Sequence, residues 1–138
     1  MLTTVVEGRV YDWSHAVGRN AAAGDGFNFP CSIAMASEGM MYIVSRGSEN
    51  NFGSRVTKLY VGAPGDEKVQ GEFCRYGTDP GRALWPHSVA LDKQGNVYVS
   101  DDWLNRISAF DPDGNFLNAW GTTGSGQGQL DGPAGTAV

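Results

Sequence analysis

The stretch GNVYVSDDWLNRISAFDPDGNFLNAWG, Gly95 to Gly121, has an imperfect copy upstream, GMMYIVSRGSENNFGSRVTKLYVG, Gly39 to Gly62. A repeat of this length constrains the fold more than any single motif, because each copy must bury its apolar faces largely against its neighbours. Matched by number, Ser32, Ile33, Ala34, Gly39 and Tyr42 fall on Ser88, Val89, Ala90, Gly95 and Tyr98. A one-residue slip then brings Val44 and Ser45 onto Val99 and Ser100, which sets Arg46 opposite Asp101. RGSENNFGSRV stands for the shorter DDWLNRI, so the first copy carries a longer loop, Arg46 to Ser54, before Arg55 and Val56 answer Arg106 and Ile107. A third copy begins in LDGPAGTAV, with Pro133 answering Pro86. GRVYDWSHAVG, Gly8 to Gly18, has the form of a repeat's end, GNFLNAWGTTG, Gly114 to Gly124.

Within a copy the apolar runs are strand-sized. HSVALD, NVYVSD, RISAFD and FLNAWG are rich in β-branched and aromatic residues and are separated by KQG and DPDG. Glycine supplies a positive φ at such turns and Asp opens them through its side chain. Glycine is abundant, 20 of 138 residues, as a chain of many turns requires. Four short antiparallel strands, repeated, make a β-propeller blade. The expected fold class is therefore all-β: about two complete four-stranded antiparallel blades plus orphan terminal strands, an incomplete propeller. A single domain over 1–138 divides into the last strand of a preceding blade and its connection (1–29), a first blade (30–77), a second blade (78–124), and a connection with the first strand of a third blade (125–138). GSGQGQ reads as a flexible interblade connection. Ile33, Tyr42, Val44, Val89, Tyr98, Val99, Ile107 and Phe110 are expected to be buried.

The pattern P-x-S-V-A-L-D-x-x-G-N-V-Y-V-S-D-x-x-x-N-R-I-x-x-F-D-x-x-G, Pro86 to Gly114, resembles the NHL repeat of six-bladed propellers. In the first blade Arg46 stands where that pattern has an Asp. The PHS and WG…G pieces also resemble the NHL blades of peptidyl-hydroxyglycine amidating lyases, whose catalytic and metal residues are spread over many blades. Some NHL proteins bind RNA.

The formal charge is −5 and the ten Lys and Arg residues are scattered, which argues against nucleic-acid and anionic-membrane partners. The longest clean apolar run, MMYIV, is far too short to span a bilayer, and the N-terminal stretch has no signal-peptide pattern. Cys31 and Cys74 do not make a disulfide framework and read as buried thiols, so the expected compartment is the cytoplasm.

Four residues are candidates for ligand binding. His87 follows a blade's opening Pro, on the strand nearest a propeller axis. Trp103 sits in the loop SDDWLN, where an exposed indole beside acids would make a recognition patch with the long RGSENNF loop. Asp102 is the less committed of two neighbouring carboxylates, and Arg46 begins the long loop. Asp101 reads instead as structural, accepting backbone N–H bonds, and Arg55 and Arg106 as bridges to loop carbonyls. Trp13, Trp85 and Trp120 read as blade packing. No catalytic residues and no metal ligands are assigned, and no cofactor is expected; Ca²⁺ at paired carboxylates or Zn²⁺ at His87 is the alternative.

The favoured function is a binding or scaffold module, because no complete catalytic set is visible. A metal-dependent lyase- or lactonase-like enzyme with an axial site is one alternative, and a propeller fragment without its own activity another. Two blades and two orphan strands leave blade faces and strand edges open. A homodimer would give six blade positions, the number the resemblance implies. The partners expected are a second copy and a protein or small-molecule ligand.

Overall fold

The β-branched and aromatic runs fold as ten strands in the computed structural model, which describes residues 3–48, 50 and 52–138. A hairpin, β1 (Thr3–Val6) with β2 (Arg9–Asp12), comes first. Two four-stranded antiparallel sheets follow. The first is β3 (Pro30–Met35), β4 (Met40–Ser45), β5 (Arg55–Tyr60) and β6 (Lys68–Phe73), in that order. The second is β7 (Pro86–Leu91), β8 (Val97–Asp101), β9 (Arg106–Phe110) and β10 (Phe116–Trp120). None of the described residues is helical. These are two consecutive propeller blades, with β3 and β7 side by side as their innermost strands. Glu49 and Asn51 of the long loop lie outside the described residues.

Strand pairing corrects the sequence alignment in one place. Ala34, Ile33 and Ser32 pair with Tyr42, Ile43 and Val44, while Ala90, Val89 and Ser88 pair with Tyr98, Val99 and Ser100. Spacing between the copies is therefore constant along the second strand, and there is no slip. Ser45 holds the position of Asp101, and Arg46 that of Asp102. The backbone agrees: Arg46 N–H donates to the Phe29 carbonyl at 3.1 Å as Asp102 N–H donates to that of Trp85 at 3.2 Å. The shared VS of the two copies favours the slipped alignment, but pairing, which turns whole side-chain faces over if moved by one residue, does not permit it.

The core lies between the blades. Tyr42, Val44 and Val56 from one face of the first blade meet Val89, Val97, Val99 and Phe110 from the opposite face of the second, with Cys74 and Ala83 sealing the joint. Of the eight positions expected to be buried, six are: Tyr42, Val44, Val89, Val99, Ile107 and Phe110; Tyr98 is half-buried and Ile33 is 59% exposed. Ile33 is the equivalent of Val89, but it lies on the outward face of the first blade, where no blade is seated. Tyr98 likewise lies on the outward face of the second. For the same reason Trp120, on that outward face, is 47% exposed rather than packed, and Trp13 beyond β2 is 61% exposed.

The connectors between blades recur three times. Asn20 bridges Phe27, Tyr76 bridges Ala83, and Thr123 bridges Leu130, each in parallel sense. GSGQGQ belongs to the third of these and is held in a defined turn: Gly126 N–H donates to Gln129 Oε1 at 2.8 Å, and Gln129 N–H to the Gly126 carbonyl at 3.0 Å. Residues 131–138, expected to hold the first strand of a third blade, form no strand. The segment runs beside β7 all the same, with Thr136 N–H donating to Ser88 Oγ at 3.2 Å. That bond repeats the one between Val89 N–H and Ser32 Oγ, also 3.2 Å, across the preceding joint.

Turn chemistry follows the sequence reading. Asp92 Oδ1 accepts from the N–H groups of Gln94 and Asn96 at 2.9 and 2.8 Å, and Asp111 Oδ1 from those of Asp113 and Asn115, both at 2.9 Å. Burial works to raise the Asp92 carboxyl, but the bonds from Asn96, Tyr98 and Gln94 outweigh it and hold it below the usual range; bonds from Asn115 hold Asp111 down in the same way.

Candidate functional site

Where the two blades meet, the loop after β4 and the loop after β8 rise on one rim. Asp101 ends β8, is almost wholly buried, and spends both carboxylate oxygens on backbone. Oδ2 accepts from the N–H groups of Leu84 and Trp85 at 2.7 and 3.2 Å, and Oδ1 from those of Trp103 and Leu104 at 3.0 and 2.9 Å. One side chain thus fixes the backbone beneath two tryptophans. Their rings stand edge to face, centroids 5.7 Å apart at 80°. The structural role read for Asp101 from the sequence is the one it has.

Opposite this pair, Phe52 of the long loop tilts against Tyr76 of the interblade connector, with centroids 4.5 Å apart. Ser54 anchors the loop: its Oγ lies 2.6 Å from the Arg46 carbonyl and 2.8 Å from that of Leu84. Phe52, Tyr76, Leu84, Trp85 and Trp103 line a cavity of about 280 Å³. A second hollow of about 400 Å³ shares Ser48 and Trp85 with it and adds Phe29, Arg46 and Asn50. Phe52 and Trp103 are each more than 60% exposed, so their rings meet solvent across the groove.

Arg46 closes one flank. Its guanidinium carbon lies 4.4 Å from the Trp85 ring centroid, and Nη2 lies 3.4 Å from Asp102 Oδ2. The flank therefore presents a cation whose charge is matched locally.

Three of the four residues singled out in the sequence come together here: Trp103, Asp102 and Arg46. His87 does not; it sits half-buried at the start of β7 and lines neither hollow. Among the described residues no three His, Cys, Asp or Glu side chains gather as a metal site. Arg55 and Arg106 do bridge loop carbonyls. Arg55 reaches those of Ala21, Ala22, Gly26 and Gly53 at 2.6–3.2 Å, and Arg106 those of Thr78, Asp79 and Arg82 at 2.6–3.1 Å.

Sequence reading missed Tyr76 and took Trp85 for packing. A signal existed. Tyr76 stands where the other two connectors have Asn20 and Thr123, and Trp85 where the neighbouring copies have Phe29 and Gly132. Large aromatics at positions the repeat does not require are what mark the groove.

No protein-family model matches the chain. Two curated relatives decide the kind of blade. The chain is 40% identical over 65 residues, 47% of its length, to RING finger protein nhl-1 of Caenorhabditis elegans. It is 34% identical over 95 residues, 68% of its length, to NHL repeat-containing protein 3 of Homo sapiens. These are NHL repeats. The chain spans 7% and 26% of the length of those two relatives. A solved structure, Kuenenia stuttgartiensis hydrazine synthase, superposes on 93% of this chain and 29% of its own with a TM-score of 0.54; at 20% identity that likeness is one of fold. The NHL blades here form a repeat-built module, with an aromatic groove at their joint.

Proposed function

We propose that the chain is a binding or scaffold module of NHL type that takes its ligand in the aromatic groove between its blades and self-associates through its open blade faces. The observation that carries the first part is the convergence of Phe52, Tyr76, Trp85 and Trp103, from three separate segments, on one rim. Exposed aromatic surface of this kind is the usual material of recognition hot spots. Selection from a random peptide display library tests it. Sequences should enrich on the wild-type chain and fail to enrich on a Phe52→Ala/Trp103→Ala variant; equal enrichment on both overturns the groove as the ligand surface.

Self-association rests on equivalence between the joint and the free faces. The joint seats Val89 and Leu91 against Tyr42 and Phe73. On the outward face of the first blade the equivalents of the former are Ile33 and Met35, 59% and 62% exposed; on that of the second the equivalents of the latter are Tyr98 and Trp120. Tyr98 and Trp120 even keep the edge-to-face geometry of Tyr42 and Phe73, 6.1 against 6.2 Å. One copy can therefore seat another as its own blades seat each other, and two copies closing on each other make the dimer. Sedimentation velocity at micromolar concentration should give a dimer that Ile33→Asp or Trp120→Asp dissociates. A wild-type monomer overturns this part. The free thiols of Cys31 and Cys74 support a reducing, cytoplasmic setting.

A further inference from the structure

The groove's walls are two pairs of rings, Trp85 with Trp103 and Phe52 with Tyr76, each pair in van der Waals contact and the two facing one hollow. The bonds that Trp85 and Trp103 give to Asp101 come from their backbone N–H groups, and among the described residues no hydrogen bond engages either indole N–H or the Tyr76 hydroxyl, although each ring lines the groove. Rings that offer flat apolar faces and keep a donor at one edge suit a ligand that alternates apolar surface with unpaired carbonyls. A polyproline II segment is such a ligand. It makes no internal hydrogen bonds, exposes its carbonyls, and is already ordered before it docks.

Charge points the same way. The flanking cation, Arg46, is matched by Asp102 and lies over the Trp85 ring. A ligand cation would have to crowd that guanidinium, and an anionic strand would find one already-paired Arg on a chain of net charge −5. An uncharged ligand meets neither obstacle.

We propose that the groove binds a proline-containing peptide in the polyproline II conformation, with pyrrolidine rings between the two aromatic pairs and peptide carbonyls accepting from Trp85, Trp103 and Tyr76. The proposal rests on the groove being the ligand surface, and it goes further in naming the ligand's backbone form.

The experiment titrates three probes into the chain: blocked hexaproline, a blocked Gly-Ser hexapeptide, and a hexauridylate RNA. Readouts are the indole N–H resonances of ¹⁵N-labelled protein and tryptophan fluorescence. Hexaproline should shift the Trp85 and Trp103 indole signals saturably, the Gly-Ser peptide should not, and Trp103→Ala should weaken hexaproline binding about tenfold or more. Tyr76→Phe, which keeps the ring and removes only the donor, should weaken it less. Thermal melts of each variant establish that it is folded; Phe52→Ala replaces Trp103→Ala if the latter is not. The proposal falls if hexaproline leaves the indole signals unmoved at millimolar concentration, if Gly-Ser binds as well, or if hexauridylate binds and hexaproline does not. Library enrichment that depends on Trp103 while hexaproline fails would overturn the polyproline form alone; failure of both would overturn the groove itself.

Discussion

Arg46 and Asp102 are the same position in two consecutive blades, and they meet each other across the joint at 3.4 Å. Opposite charges at equivalent places let one blade contact the next without an outside partner. Both side chains are partly exposed, so the pair is screened. A double-mutant cycle of Arg46→Ala and Asp102→Ala should give a coupling below about 1 kcal/mol by urea denaturation. Arg46→Ala alone should cost about 1–2 kcal/mol, since it also removes the stack on Trp85. A coupling of several kcal/mol would mean the pair is desolvated in solution.

Arg55 and Arg106 are equivalents with unequal surroundings. Arg55 is buried, pairs with Glu72 through Nε at 2.8 Å, and serves four carbonyls. Arg106 serves three carbonyls from a more open position. Arg55→Ala leaves the Glu72 carboxylate with Arg75, 2.8 Å away, and the Gly24 N–H, but strips four carbonyls of their donor; it should cost about 2–4 kcal/mol, against about 1–3 kcal/mol for Arg106→Ala. Equal midpoints for the two variants in urea would refute this ranking.

Val99 lies at the centre of the joint and is 1% exposed. Val99→Ala should destabilise by about 1–4 kcal/mol, through lost burial and the cavity left behind. A loss under half a kcal/mol would show that the blades are not packed face to face there.

Much of this fold was legible because the repeat states it twice. Pro86 to Gly114 spells out strands, Asx turns and the stapling Arg, and each lies where the pattern put it. What failed to show was anything set by neighbours. Ile33 and Val89 are near-identical in type, yet one is exposed and the other buried, because burial depends on which blade face has a partner. The groove was half legible: Trp103 stood out for its acidic loop, while Trp85 and Tyr76 became meaningful only when folding brought a connector beside two loops distant in sequence.

The two cysteines give a pH-dependent test. Burial pushes the Cys74 thiol up to about 12, and desolvation raises that of Cys31 as well, but of the two thiols expected to be buried only Cys74 is; Cys31 is exposed. Iodoacetamide should modify Cys31 in the native protein and spare Cys74 up to about pH 10, read by mass spectrometry of peptides. A thiol whose folded pKa is raised contributes its full stability below its unfolded value, about 8.5, and loses it as pH climbs toward 12. Cys74→Ala should therefore flatten the fall of stability over that interval. Rapid native labelling of Cys74 would show that the joint opens.

The serine bonds at the inner strands give the array a grammar. Each unit offers an acceptor on one side, Ser32 or Ser88, and presents a backbone donor on the other, Val89 or Thr136. Units can then be added in one sense only. A segment that carries both halves of its own joint can be copied in tandem and dock on its parent without any new interface having to arise, which leaves rim positions such as Tyr76 and Trp85 free to diverge from copy to copy.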